Sequence, residues 1–295
     1  MKRSGSCPLG LFIVLCLVPA SWAAGYGNNQ FLVEPAWLAQ RLSDKSLRIV
    51  DMQTDSKAYD EEGHIPGSAY LSVSAIRMPV ELGGFRLPNK SEGERILGAL
   101  GISKDTMVVI YDDTGGLNAS RLFFTLDVLG HEKIALLNGG LQAWKRAGLP
   151  LSHEVPKIPA HSYSAKVDLN KVATAEWIVK NLKNAALALV DARTPKEFRG
   201  EDVRAKRGGH IPGAKNIEWT LNLNEDKTFK SPEQLRELYE SRGITSDKTV
   251  VPYCQTHHRA AHTYFVLRLL GYSKIRGYDR SWAEWGNRDD LPVER

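Results

Sequence analysis

Cysteine is scarce in this chain. Its 295 residues hold three, and two of these, Cys7 and Cys16, fall within the first 23 positions. If that stretch is removed only Cys254 remains, which excludes an internal disulfide and a zinc site built on paired cysteines. Long apolar runs are equally rare. The one candidate, Leu9 to Val18, follows Met1-Lys2-Arg3 and precedes PASWAA. It is too short to cross a bilayer, which takes about 20 residues, and its charged, apolar and small-residue regions read as a secretory signal over residues 1–23, cleaved after Ala23. Leu15 before Cys16 is too large for a lipoprotein signal. The expectation is an exported, periplasmic protein with no membrane contact after signal removal.

An excess of one charge is missing too. Net charge is +5, and loss of Lys2 and Arg3 leaves 5 − 2 = +3, a balance that gives nucleic acid no purchase and suits small anionic ligands. With 42% hydrophobic and 25% charged residues and no low-complexity tract, the chain is globular.

What the chain does have is itself, twice. SLRIVDMQTDSKAYDEEGHIPGSAYL in the first half answers ALALVDARTPKEFRG and GGHIPGAKNI in the second. Further on, DTMVVIYDDTGGLNASRLFFTLDVLG lies over KTVVPYCQTHHRAAHTYFVLRLLG, so that Tyr111 matches Tyr253 and Asp112 matches Cys254. Each half opens on a helical piece, EPAWLAQRL with an early Pro35 or TAEWIVKNL with Thr174 as N-cap. An apolar run ending in aspartate, LRIVD or LALVD, reads as a buried strand, and a second, MVVIY or TVVPY, leads through a polar loop into another helix. Strands alternating with helices predict an α/β fold: two tandem domains, each a mainly parallel sheet flanked by helices, over 31–150 and 167–295. The proline-bearing stretch 151–166 reads as an extended linker.

Cys254 stands where a strand turns into a helix, the end of a parallel sheet at which ligands bind. Its loop, CQTHHR, can wrap backbone N–H groups around the sulfur, the following helix adds its positive end, and Arg259 adds a cation, all favouring the reactive thiolate. A buried structural thiol and a metal ligand, with His258 and His262 four apart, are the rival readings. A loop that turns its amides to the sulfur would splay His257 and His258 outward, so no metal is expected.

The duplicated VD...GHIPG pattern, a strand-Cys-loop-helix in the second half only, and the ending YDRSWAEW resemble the tandem-domain rhodaneses, the thiosulfate:cyanide sulfurtransferases, of the bacterial type with a CQTHHR loop. That resemblance implies a ping-pong transfer through a Cys254 persulfide, from a small anionic sulfur donor to cyanide or a thiol acceptor, without cofactor or metal. It implies Arg193 in VDARTPKEF as the arginine facing the donor, with Gln255, Thr256, His257, His258 and Arg259 lining the site and Arg199 assisting. The first half, with Asp112 in place of the cysteine, is expected to be non-catalytic. Thiosulfate is the expected donor, 3-mercaptopyruvate the alternative, and a persulfide carrier for a partner protein a third reading. Phosphate-ester hydrolysis is disfavoured because Cys254 and Arg259 are separated by four residues, one short of the loop that encloses a phosphate.

Overall fold

The computed structural model describes residues 25–81 and 83–295, so the expected signal segment lies outside the described residues. The first half runs β1 (Leu32–Val33), α1 (Pro35–Ala39), β2 (Leu47–Asp51), β3 (Ala69–Tyr70), β4 (Met78–Pro79), β5 (Phe85–Arg86), α2 (Lys90–Ala99), β6 (Met107–Tyr111), α3 (Leu117–Val128), β7 (Ile134–Leu137) and α4 (Gly140–Arg146). The second runs α5 (Ala175–Asn181), β8 (Leu187–Asp191), α6 (Pro195–Phe198), β9 (Lys215–Asn216), α7 (Pro232–Glu240), β10 (Thr249–Tyr253), α8 (Arg259–Leu269) and α9 (Ser281–Trp285). The four apolar runs coincide with β2, β6, β8 and β10. Thr174 caps α5 by accepting from the Trp177 N–H, as its residue type predicts.

The first half builds a five-stranded parallel sheet in the order β1-β7-β6-β2-β3, the second a three-stranded parallel sheet in the order β10-β8-β9. Beyond β10, the places of β7 and β1 are taken by isolated parallel bridges, Val250 to Ile275 and Val172 to Gly277. Among the named strands of the described residues the antiparallel pair is the small hairpin β4–β5, beside isolated antiparallel bridges such as His64 to Ser152 and, in the second half, His210 to Glu294. The repeat holds at the level of single hydrogen bonds. Met52 N–H donates to Tyr111 C=O as Ala192 N–H does to Tyr253 C=O, and Leu141 N–H donates to Asp112 C=O as Trp282 N–H does to Cys254 C=O.

Helices α3 and α8 lie between the two sheets, buried almost all round. Their polar side chains are accordingly partnered inside the protein, Arg121 by Asp279 and Asp127 by Lys171 and Tyr264. One apolar core runs through both halves. Phe123 and Phe265, counterparts in the repeat, meet edge to face at 5.0 Å between ring centroids. The helices therefore touch at corresponding positions, as the two copies do in an isologous dimer. The stretch 151–166 forms no helix, but it does not hang free. His161 N–H donates to Gly98 C=O and Lys166 N–H to Leu129 C=O, while Tyr163 and Ala165 are buried, so it straps along the first half.

Candidate active site

The strand-end loops of the two halves are the place to compare them. In the first half the Asp112 carboxylate sits inside its loop and accepts four backbone N–H groups: Oδ1 from Thr114 (2.9 Å) and Gly116 (2.8 Å), Oδ2 from Asn118 (2.7 Å) and Ala119 (2.9 Å). The loop is a cradle for an anion, and the chain supplies the anion itself. Burial pushes the Asp112 carboxyl upward while the amides pull it down, and burial wins.

Cys254 occupies the matching place after β10, free and only 1% exposed. Its N–H donates to Ser281 Oγ at 3.2 Å, and that hydroxyl donates on to Tyr278 C=O at 2.8 Å. Its side chain packs with Ala192 and Ala260, with Trp219 against them. The two turns that shape this end of the second half need left-handed backbone. The first half meets the need with Gly115 (φ +80°) and Gly140 (φ +54°), the second with His257 (φ +54°) and Ser281 (φ +51°). A non-glycine residue there carries strain of about 1–2 kcal/mol, and both strained positions adjoin Cys254.

The histidines do not splay outward. His257 is fully buried, its ring 4.5 Å from that of Phe124, and His258 donates through Nε2 to Asn118 Oδ1, 2.8 Å away in the first half. The expectation treated the loop as a free rim, whereas α3 covers it and turns both rings into interface residues. Burial, with Arg121 nearby, holds His257 well below the usual imidazole range, and burial beside Arg77 and Arg121 brings His258 down to about 3. His262 donates from Nε2 to Gly115 C=O (3.2 Å) and accepts at Nδ1 from Asn222 Nδ2 (3.4 Å), so His258 and His262 engage different partners.

The arginines also differ from expectation. Arg193 is 1% exposed and turned inward: Nη2 donates to Asp191 Oδ2 at 2.6 Å and to Gly209 C=O at 2.7 Å, and the guanidinium lies 4.5 Å from the Trp282 ring. Its backbone N–H bonds Asp191 Oδ1 as Gln53 N–H bonds Asp51 Oδ1, so it braces a strand end instead of facing a donor. Arg259 lies in the loop region as predicted, but both its outer nitrogens grip Glu197, at 2.6 and 2.8 Å. Burial would raise the Glu197 carboxyl, yet the Arg259 hydrogen bonds bring it down to about 2, so the pair is charged and internally neutral. Arg199 is held by exposed Glu201. Gln255 reaches back to Arg204 C=O at 3.0 Å.

Two neighbours of the loop escape a sequence reading because they lie far off in the chain. Arg77, before β4, donates from Nη2 to Thr256 Oγ1 at 2.8 Å. Arg121 of α3 pairs with Asp279 at 2.6 Å beneath the loop. A cavity of about 800 Å³ opens nearby between the halves, walled by Leu87, Val128, Leu169, Val172 and Arg280, but neither Cys254 nor its loop lines it.

Comparison with known proteins agrees with this duplicated geometry. A model of the Rhodanese-like domain matches residues 34–147 and, again, 174–288. The chain belongs to the rhodanese family. Among its relatives, the thiosulfate sulfurtransferase of Azotobacter vinelandii is 39% identical over 269 residues, covering 91% of this chain and 98% of the relative. The sulfur carrier protein TtuD of Thermus thermophilus is also 39% identical, over 92% of this chain and 99% of its own. The crystal structure of the 3-mercaptopyruvate sulfotransferase SseA from Escherichia coli superposes with a TM-score of 0.78 at 26% identity, covering 85% of this chain and 98% of SseA. Of the two rhodanese-like domains here, only the second carries sulfur at the strand end.

Proposed function

We propose that this rhodanese is a thiosulfate sulfurtransferase in which Cys254 carries the transferred sulfur. The observation that bears most weight is the first-half loop: four amides there hold a carboxylate, and the second half puts a thiol at the matching residue. A cradle of that design suits a thiolate and equally a persulfide, whose terminal sulfur carries the charge. In the first step the Cys254 thiolate attacks the outer sulfur of thiosulfate. The donor S–S bond breaks, its electron pair leaves with sulfite, and the outer sulfur stays on Cys254 as a persulfide anion. In the second step cyanide or a thiol takes that sulfur and restores the thiolate, so a covalent intermediate divides the reaction in two. Gln255, Thr256 and Arg259 shape the loop, His257 and His258 lock it to the first half, and Arg193 holds its sheet edge.

Cys254→Ser is expected to abolish both thiocyanate formation from thiosulfate and cyanide and the gain of one sulfur atom on the intact protein; turnover that survives in this variant would overturn the assignment. Comparing thiosulfate with 3-mercaptopyruvate fixes the donor. The likeness to a sulfur carrier, together with the burial of Cys254, favours delivery to a protein thiol as a second reading, recognised by persulfide loading with slow release to cyanide. We propose further that the protein works in the periplasm after losing residues 1–23, a reading carried by the N-terminal sequence; a mature protein that begins with Met1 would contradict it. Among the described residues no helix is long and apolar enough to cross a membrane.

A further inference from the structure

The second half gathers many arginines around its loop, yet most of their charge is cancelled. Arg259 is matched by Glu197 at 2.6 Å, Arg193 by Asp191 at 2.6 Å, Arg204 by Asp202 at 2.7 Å, and Arg121 by Asp279 at 2.6 Å. An anionic donor approaching Cys254 gains little from a cation already paired with a carboxylate. Arg77 differs from these four. Like Arg121 it comes from the half without sulfur, but it stands at the foot of the β4–β5 hairpin, and among the described residues no carboxylate lies within ion-pair distance of it. Its Nη2 donates to a neutral hydroxyl, Thr256 Oγ1, two residues from Cys254. Its guanidinium carbon rests 3.9 Å from the centroid of the Phe85 ring, which fixes its plane and leaves its charge in place. Its Nε is buried with no hydrogen-bond partner among the described residues. Burial and Arg121 push the Arg77 pKa down while Cys254 and Asp279 push it up, which places Arg77 within electrostatic reach of the sulfur; an arginine keeps its proton throughout.

We propose that Arg77 is the donor-binding cation of this site, holding the sulfonate end of a dianionic sulfane donor beside Cys254, so that the first half supplies charge for chemistry performed by the second. The proposal rests on the reading of Cys254 as the sulfur carrier. Arg77 gains and loses no proton. It stabilises the bound dianion and the sulfite that departs, and a planar fork suits three sulfonate oxygens.

The test uses the full-length protein and two donors of different charge: thiosulfate, a dianion, and methanethiosulfonate, a monoanion that transfers the same sulfur. Arg77→Gln is expected to raise KM for thiosulfate about tenfold and KM for methanethiosulfonate no more than about threefold, with kcat within about threefold for both. Arg77→Lys, which keeps the charge but not the fork, is expected to recover most of the thiosulfate KM. Equal losses on both donors with a lower unfolding temperature would make Arg77 a mere anchor for the hairpin, and an unchanged thiosulfate KM would end the proposal outright. Should Arg77→Gln not fold, Arg77→Lys decides alone: a KM raised tenfold for both donors counts against a role for charge. Sulfur loading of the wild type, read by mass, separates the two levels, because a wild type that gains no sulfur defeats the Cys254 reading before Arg77 is tested.

Discussion

Of the differences between the two strand-end loops, Asp112 against Cys254 is the one that divides their tasks. Asp112 brings its own charge to the cradle, so the first loop is satisfied the moment the chain folds; Cys254 leaves the second loop dependent on chemistry. Replacing Asp112 by alanine strands four N–H groups, three of them buried, for which about 3 kcal/mol of lost stability is expected from denaturant unfolding. Turnover per folded molecule should stay within about twofold of wild type. Asp112→Asn, which keeps an acceptor oxygen, should lose less than half as much. At this scale the sequence was most legible where the repeat could be read residue against residue: it set Asp112 against Cys254 with no structure at hand. It was least legible for side chains whose partners come from another element. Arg193 sits in the expected stretch, but its guanidinium answers Asp191 two residues away, and Glu197, which neutralises Arg259, carries no mark in the linear order beyond its capping-box place in the first turn of α6.

Among the elements, the hairpin β4–β5 departs most from the repeat, and it lies over the loop of the opposite half. Gly84 allows that approach: its φ is +77°, and a Cβ built on it would stand 2.7 Å from Ala283 Cβ and 3.9 Å from Thr256 Cγ2. Gly84→Val should force the hairpin away from α9 and the Cys254 loop. The expected result is faster alkylation of Cys254 by a bulky thiol reagent, at least threefold over wild type, with a smaller change for iodoacetamide. Equal rates for both reagents would mean that the hairpin does not cover the sulfur. The strands and the N-caps were readable from composition because they answer to local rules: apolar period, a capping hydroxyl, proline at the first turn. The hairpin was not, since its short pairs are fixed by what it rests on.

For the molecule as a whole, the interface between the halves is where histidine collects. His257 and His262 lie buried between them and His258 half-buried, and burial chiefly holds His257 well below the usual range, His258 at about 3 and His262 at about 4. In the unfolded chain each binds a proton near pH 6.5, while in the folded protein none does until far lower. Unfolding therefore takes up protons across this window, and stability present above pH 6.5 is lost as the pH falls toward 4. Two carboxyls oppose the trend: burial raises Asp51 to about 6 and pushes Asp112 upward as well. The lowered histidines, His131 among them, outnumber the raised carboxyls, so stability should fall as the pH drops from 7 toward 4.5. Denaturant titrations between pH 7 and 4.5 should measure it, and His258→Gln should remove about one proton from the slope; a flat profile would place these rings in contact with water. The sequence could announce two copies of one fold, but their docking is written in no periodicity, which is why the histidines were expected at an outer rim.

The two strand-end loops also furnish an internal standard. The amide protons of Gly116 and Asn118 are bound to a fixed carboxylate, so their NMR resonances should stay shifted downfield whatever the enzyme is doing. The matching amides of His258 and Ala260 should move toward the same position only while a charged sulfur resides on Cys254. One spectrum of a working sample would then report how much of the protein is loaded, read against a reference folded into the same chain.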